Sequence, residues 1–69
     1  MTDTQYLDEL IRNKGLKMNY LADKLGISRV AFNAKRNNNS IFTAREIKIL
    51  CEELNITSLK EKERIFFSE

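Results

Sequence analysis

The chain has 69 residues, 12 Lys plus Arg, 10 Asp plus Glu, one Cys, two Gly and neither His nor Pro. This length predicts a single domain over residues 1–69, since typical domains contain roughly 100–150 residues. Without His and with one Cys, a His/Cys zinc site, a Ser-His-Asp triad and a Cys-His dyad are excluded. The two Gly, at positions 15 and 26, are too far apart for the phosphate-binding loop GxxxxGK[ST], and GxGxxG needs a third. We therefore expect no enzyme activity, no metal, no cofactor and no small-molecule ligand.

Hydropathy and cysteine usage indicate the cellular compartment of the protein. No run of apolar residues exceeds three, which is too short to cross a membrane. No charged and then apolar signal segment opens the chain. The single Cys51 lies among apolar helical neighbours, as a buried thiol of a reduced compartment does. We expect a soluble cytoplasmic protein with no membrane partner.

The formal net charge of +2 conceals a strong asymmetry along the chain. Residues 1–11 carry −3, residues 12–45 carry +7 and residues 46–69 carry −2. A basic middle segment between acidic flanks is typical of a protein that binds a polyanion. The alternative is the ordinary solvated face of surface helices.

The first two of five expected helices are bounded by local signals. Thr2 as N-cap and Gln5 three residues later match a capping box for the first helix. Gly15 is placed to end that helix, because glycine takes a positive φ without steric cost. The second helix is expected over about residues 18–25, with Gly26 ending it.

Three more helices follow, so the fold class is all-α. Ser28 is the expected N-cap of a third helix that reaches about Arg36. A capping box at Thr43–Glu46 opens a fourth helix to about Leu54, and another at Ser58–Glu61 opens the fifth. Apolar residues recur at helical spacing in these segments.

The most informative stretch runs from Leu21 to Phe32 and predicts a helix, a tight turn and a capped helix. A turn of about three residues requires the helices to cross steeply, at roughly 90–120°. Ala22 supplies the small side chain that such a crossing needs. The residues left to project from the other side of the third helix, which is the later one of this pair, are Arg29, Val30, Asn33, Ala34 and Arg36.

This stretch resembles the helix-turn-helix of phage Cro and CI-type repressors. The matching residues are Leu21-Ala22, Leu25-Gly26, Ile27-Ser28, Arg29 and Phe32. The resemblance covers about residues 4–67 and implies a compact five-helix bundle of the lambda-repressor-like DNA-binding type, with the helix-turn-helix at about residues 18–36. The family commonly has Thr or Ser and then Gln where this chain has Lys17 and Met18. The phosphate contact of that Gln is therefore not carried over, and Lys17 or Asn19 can replace it.

In such proteins the N-terminal part of the second motif helix enters the major groove. There Arg29 can pair with guanine, Asn33 with adenine, and Val30 and Ala34 with thymine methyl groups. Basic side chains, amides and free N–H groups at a helix N-terminus suit phosphate. The expected phosphate contacts are Lys17, Asn19, Lys35, Arg36, Asn37, Asn38, Asn39, Ser40 and Thr43. The alternatives are solvated surface residues and plain turn-forming residues.

The C-terminal segment carries more apolar side chains than a small monomer needs, which is typical of an interface. The expected homodimer interface comprises Leu59, Ile65, Phe66 and Phe67. The alternative is that Ile65 and Phe66 complete the core while Phe67 frays.

Two functions remain on the sequence. The first is a sequence-specific double-stranded DNA-binding regulator, a Cro-like repressor that binds a near-palindromic operator as a dimer and blocks transcription sterically. Its setting would be the cytoplasm of a bacterium or of a phage-infected or lysogenic cell. The second is an antirepressor or modulator that binds another repressor protein instead of a specific DNA site.

Overall fold

Five α-helices form the framework of the computed structural model, which describes residues 1–68. They are α1 (Thr4–Lys14), α2 (Met18–Leu25), α3 (Arg29–Arg36), α4 (Ala44–Glu53) and α5 (Leu59–Phe66). No strand occurs among residues 1–68, so the all-α prediction with five helices is confirmed. Within the same residues, no helix has the length and apolar character needed to cross a membrane.

The helix starts follow the capping signals of the sequence. The hydroxyl of Ser28 accepts a hydrogen bond from the N–H three residues later, at 3.1 Å, and starts α3. At α4, Thr43 and Glu46 form a complete capping box, with bonds of 3.2 and 2.8 Å in the two directions. Ser58 accepts from the N–H of Glu61 at 3.4 Å, so α5 has the forward bond of its predicted box.

The predicted cap of α1 is wrong by one residue. Asp3 is the N-cap, and its carboxylate accepts from the N–H of Tyr6 at 3.1 Å. Thr2 is buried, and its backbone N–H and carbonyl both bond to the side chain of Asn38, at 2.8 and 2.9 Å. A tertiary contact thus occupies Thr2, and the helix begins after it.

Four of the five helices end in the same backbone motif. Gly15 and Gly26 have φ of 70° and 71°, while Asn38 and Asn55 have φ of 66° and 57°. Each of these residues, and the residue after it, donates its N–H to a carbonyl of the preceding turn at 2.8–3.3 Å. This arrangement satisfies carbonyls that a helix end leaves without a partner. The predicted ends at Gly15 and Gly26 are confirmed.

The core joins all five helices, with α2 packed against α3 and α4, and α1 against α5. Phe42, in the α3–α4 loop, makes edge-to-face contacts with Phe32 and Phe66, at centroid distances of 6.0 and 5.7 Å. Cys51 is buried in this core, and burial raises the pKa of its thiol. The thiol is therefore kept protonated as a small apolar side chain.

The predicted interface residues at the C-terminus need a correction. Ile65 and Phe66 lie inside the core of the monomer and complete it. The N–H of Asp3 donates to the carbonyl of Ile65 at 2.7 Å, which ties the N-terminal segment to α5. Only Leu59 and Phe67 of the predicted set are exposed, and they lie at opposite ends of α5.

Candidate nucleic-acid interface

The two helices α2 and α3 form a unit around a three-residue turn, residues 26–28. Gly26 lies in the left-handed region there, which an L side chain adopts only with strain. Ala22 is buried at this unit, and Ile27 packs against the core from the turn. The buried side of α3 is held by Phe32, which is fully enclosed. The opposite side of α3 is therefore turned to solvent.

The four side chains predicted to contact bases differ in exposure. Arg29 is exposed and Val30 has 79% of its surface exposed, although an isopropyl group gains nothing from water. Asn33 and Ala34, one turn further along, are half-buried. The side-chain oxygen Oδ1 of Asn33 accepts from Nη2 of Arg36 at 3.3 Å. The exposed part of the face is thus the N-terminal end of α3.

A hydrogen bond links the N-terminal ends of α2 and α3. Nη1 of Arg29 donates to Oδ1 of Asn19 at 2.8 Å. One guanidinium nitrogen is used, and the remaining donors of Arg29 have no partner among residues 1–68. Lys17, the residue before α2, is exposed and precedes Asn19 by two positions in the chain. The hydrogen bond therefore brings together two of the predicted DNA-contacting residues, although Arg29 comes ten residues after Asn19.

At the other end of α3, Lys35 is engaged inside the molecule. Its ammonium lies 2.6 and 2.7 Å from the two carboxylate oxygens of Glu46. The Glu46 side chain is only 6% exposed. Burial raises the pKa of Glu46, but the hydrogen bonds from Lys35 and from the Thr43 N–H outweigh it, so the pKa is lowered. The carboxylate therefore stays ionised and holds Lys35 on α4.

Arg36 is held in the same way by α1. Its Nη1 donates to both oxygens of Asp8, at 2.8 and 2.7 Å. Its Nε is buried and has no hydrogen-bond partner among residues 1–68. The carbonyl of Arg36 also accepts from the hydroxyl of Thr4 at 2.5 Å. Both backbone and side chain of Arg36 thus fasten α3 to α1.

In the asparagine-rich loop after α3, the backbone N–H groups form hydrogen bonds within the molecule. The N–H groups of Asn37, Asn38, Asn39 and Ser40 all donate to carbonyls of α3, at 2.8–3.3 Å. The Asn38 side chain is bonded to Thr2, and the Thr43 hydroxyl caps α4. Among the predicted phosphate contacts in this loop, the side chains of Asn37, Asn39 and Ser40 are exposed without such a bond in residues 1–68.

Further polar contacts surround the unit. Nη1 of Arg45 donates to the carbonyl of Leu25 at 3.4 Å, next to the turn. The hydroxyl of Tyr20 donates to Glu53 at 2.6 Å, and this hydrogen bond raises the pKa of Tyr20.

The carboxylate partners of Lys35 and Arg36 were not predicted from the sequence. They lie 11 and 28 residues away in the chain, and no local pattern relates them.

The comparisons with known proteins return nothing: no family model, no curated protein and no solved structure matches the chain. Within residues 1–68, no group of three or more Cys, Asp or Glu side chains is arranged to hold a metal ion. The function of the chain is therefore inferred from its own residues and their geometry.

Proposed function

We propose that the chain is a sequence-specific double-stranded DNA-binding transcriptional regulator. It is a Cro-like repressor with the lambda-repressor-like bundle, in which α2, the turn at residues 26–28 and α3 form the helix-turn-helix. The observation that carries the proposal is the exposed N-terminal end of α3, where Arg29 and Val30 project beyond a tight turn. A cationic fork beside an exposed apolar side chain suits the edges of bases in the major groove.

The positions of the side chains suggest their roles. Arg29 reads guanine O6 and N7 with donors that the bond to Asn19 leaves available. Asn19 fixes the direction of the guanidinium, and Val30 contacts a thymine methyl. Lys17, together with the exposed Asn37, Asn39 and Ser40, contacts phosphates. Asn33 and Ala34 are half-buried, so less of their surface is available to contact DNA than that of Arg29 and Val30.

The chain between Asp23 and Glu46 supports this surface. It contains five basic residues and no acidic one. Two of those basic residues, Lys35 and Arg36, are neutralised by Glu46 and Asp8. The other three are Lys24 at the end of α2, Arg29 at the start of α3 and Arg45 on α4. On α3 itself the remaining positive charge is therefore that of Arg29, at the end that reads bases. The protein should therefore make fewer phosphate contacts than its composition implies. Each contact that is lost makes the slope of log binding constant against log salt concentration shallower by about 0.9.

A single α3 reads too few base pairs to select one site in a genome, so two copies bind adjacent half-sites. Occupation of such an operator blocks transcription sterically. This role belongs in the cytoplasm of a bacterium or of a phage-infected or lysogenic cell. It requires no ligand and no catalytic group.

The internal neutralisation of Lys35 and Arg36 favours one other function. An antirepressor that binds another repressor protein needs no cationic surface along the whole of α3. In that case the α2–α3 unit is a scaffold, and its DNA binding is weak and independent of sequence.

A selection of bound duplexes from a random DNA pool, at about 0.15 M salt, separates the two functions. We expect an enriched palindrome with half-sites about 10 base pairs apart. In the same selection, Arg29→Ala should relax the preference at one position of each half-site, by roughly 1–3 kcal/mol of discrimination. Arg12→Ala, an exposed arginine on α1, is the matched control and should leave the preference unchanged.

The salt dependence of binding checks the phosphate assignment. Lys17→Ala should reduce the slope by about 0.9 while keeping the selected sequence. If the wild-type protein enriches no sequence, the repressor function is refuted and the antirepressor takes its place. If Arg29→Ala weakens all sequences equally, Arg29 is a phosphate contact and not a base reader.

A further inference from the structure

A cavity of about 480 Å³ lies between the C-terminal half of α4 and the N-terminal half of α5. Its apolar lining comprises Cys51 and Ile56, which are buried, and Leu59, which is 68% exposed. This volume falls within the roughly 300–1,000 Å³ of small-molecule sites. All residues that line the cavity lie between positions 48 and 62, so it is separate from Arg29 and Val30 at the start of α3.

Two lysine side chains line the cavity, Lys48 from α4 and Lys62 from α5. Within residues 1–68, neither ammonium takes part in an ion pair or a side-chain hydrogen bond. Lys62 is nevertheless half-buried. A half-buried ammonium gains more from an anion than a fully exposed one does, because less water screens the pair. Two cations are therefore available to a ligand in this cavity.

The charge of Lys62 is felt at the floor of the cavity. Burial raises the pKa of the Cys51 thiol there, while the positive charge of Lys62 opposes this rise and the negative charges of Glu52 and Glu61 add to it. The ammonium of Lys62 is thus close enough to act on a negative charge inside the cavity.

We propose that this cavity binds a small amphipathic monocarboxylate. The carboxylate lies between the ammonium groups of Lys48 and Lys62, and the apolar chain of the ligand lies against Ile56 and Leu59. The proposal is independent of the regulator function, and it assigns a ligand that the sequence did not predict.

The charges of the lining select a ligand with one negative charge. Besides the two lysines, one carboxylate, that of Glu52, lines the cavity, so the lining has a formal charge of +1 (two Lys minus one Glu). Glu52 follows Lys48 by four residues on α4 without forming an ion pair with it, and Lys before Glu is the weaker orientation of such a pair. A monoanion neutralises the lining, whereas a dianion such as a phosphate monoester leaves excess negative charge beside Glu52.

A second concavity, an apolar groove of about 360 Å³, shows what the lysines add. Met1, Ile41 and Phe67 project around it near the C-terminal end of α5, and none of the residues that line it carries a charged side chain. A carboxylate bound there would lose hydration without gaining a cation. Leu59, which the sequence pattern grouped with Phe67, therefore belongs to a chemically different surface.

A ¹H–¹⁵N NMR titration of the whole chain with hexanoate, at pH 7 and constant ionic strength, tests the site. We expect saturable shift changes in the amides of residues 48–62, with a Kd on the order of 1 mM for a ligand of this size. Acetate has the charge without the chain, and 1-hexanol has the chain without the charge. Each should bind at least about fivefold more weakly, because it lacks either the buried CH₂ groups or the charge-assisted hydrogen bonds.

Variants assign the charge to the two lysines. Lys48→Gln and Lys62→Gln should each raise the Kd for hexanoate by about threefold. Lys60→Gln is the matched control: Lys60 is exposed on α5 and does not line the cavity, so the same loss of charge should leave the Kd unchanged. Three results would overturn the proposal: no saturable shift of these amides up to about 20 mM hexanoate, 1-hexanol that binds as tightly as hexanoate, or a loss of affinity in Lys60→Gln equal to that in Lys62→Gln.

Discussion

The two ends of α3 carry similar residues in very different states. At the N-terminal end, Arg29 is exposed, and within residues 1–68 the single hydrogen bond of its side chain is to the neutral amide of Asn19. At the C-terminal end, Arg36 bonds to Asp8 and Lys35 to Glu46, and both side chains are largely buried. One end has cationic donors to offer to a ligand, and the other uses them to attach α3 to α1 and α4. Formal charge in a sequence therefore overstates the charge that a surface presents.

The largest difference between the ends should appear on removal of Lys35. Lys35→Met leaves the Glu46 carboxylate buried without its cation, which we expect to lower the free energy of unfolding by about 2 kcal/mol. Lys17→Met makes the same chemical change at an exposed position and should cost less than about 0.5 kcal/mol. Urea denaturation of both variants measures the difference. Equal losses would mean that the Lys35–Glu46 pair contributes nothing to stability.

The pH dependence of the destabilisation by Lys35→Met distinguishes loss of the ion pair from loss of packing by the lysine stem. Because the folded-state pKa of Glu46 is lowered from its ordinary value of 4.5, its stabilising contribution is fully present above pH 4.5. It is lost as the pH falls through the lowered pKa of the folded state. The destabilisation by Lys35→Met should therefore be large at pH 7 and shrink below about pH 4. An effect that is constant from pH 7 to pH 3 would assign it to packing of the lysine stem.

The two arginines of α3 allow a second, smaller contrast. Arg36→Ala removes a bond to both oxygens of Asp8 in a partly buried setting, and we expect a loss of about 1 kcal/mol in stability. Arg29→Ala should change stability by less than about 0.5 kcal/mol and act on DNA selectivity instead. Thermal unfolding of both variants tests this. A lower Tm for Arg29→Ala than for Arg36→Ala would reverse the assignment of the two ends.

The smallest predicted effect separates two asparagines in the same left-handed conformation. Asn55→Gly relieves the left-handed backbone at the end of α4 and should raise stability by about 0.5 kcal/mol. Asn38→Gly gains the same relief but loses two hydrogen bonds to Thr2, so we expect a net loss of about 1 kcal/mol. Chemical denaturation of the two variants checks the opposite signs. Stabilisation by both would mean that the Asn38–Thr2 bonds are dispensable.

Local signals predicted the helices well, because a cap acts within three or four residues. Ser28 and Thr43 start their helices as expected, and Gly26 ends α2 in the left-handed conformation that its motif requires. The one misplaced cap, Thr2 instead of Asp3, is a residue that a distant side chain engages. Capping chemistry is reliable where the residue has no competing tertiary partner.

The candidate site was less predictable from the same sequence. The spacing of Arg29 and Arg36, two turns apart, assigned both to one face of α3. Exposure distinguishes them only after α1 has packed beside α3 and brought Asp8 within 2.8 Å of Arg36. Ile65 and Phe66 show the same limit, since an apolar pair at a chain end suits a core and an interface equally well.

The sequence by itself determined the five helices, the tight turn between α2 and α3, and the basic character of the middle segment. These properties depend on backbone preferences and on groups within one helical turn of each other. Tertiary structure alone decided which cations remain available, which apolar residues fill the core, and that Met1, Ile41 and Phe67 meet around one groove. Those outcomes join residues 11 to 66 positions apart. They follow from helices packing until their buried charges and apolar surfaces are satisfied, which no local pattern encodes.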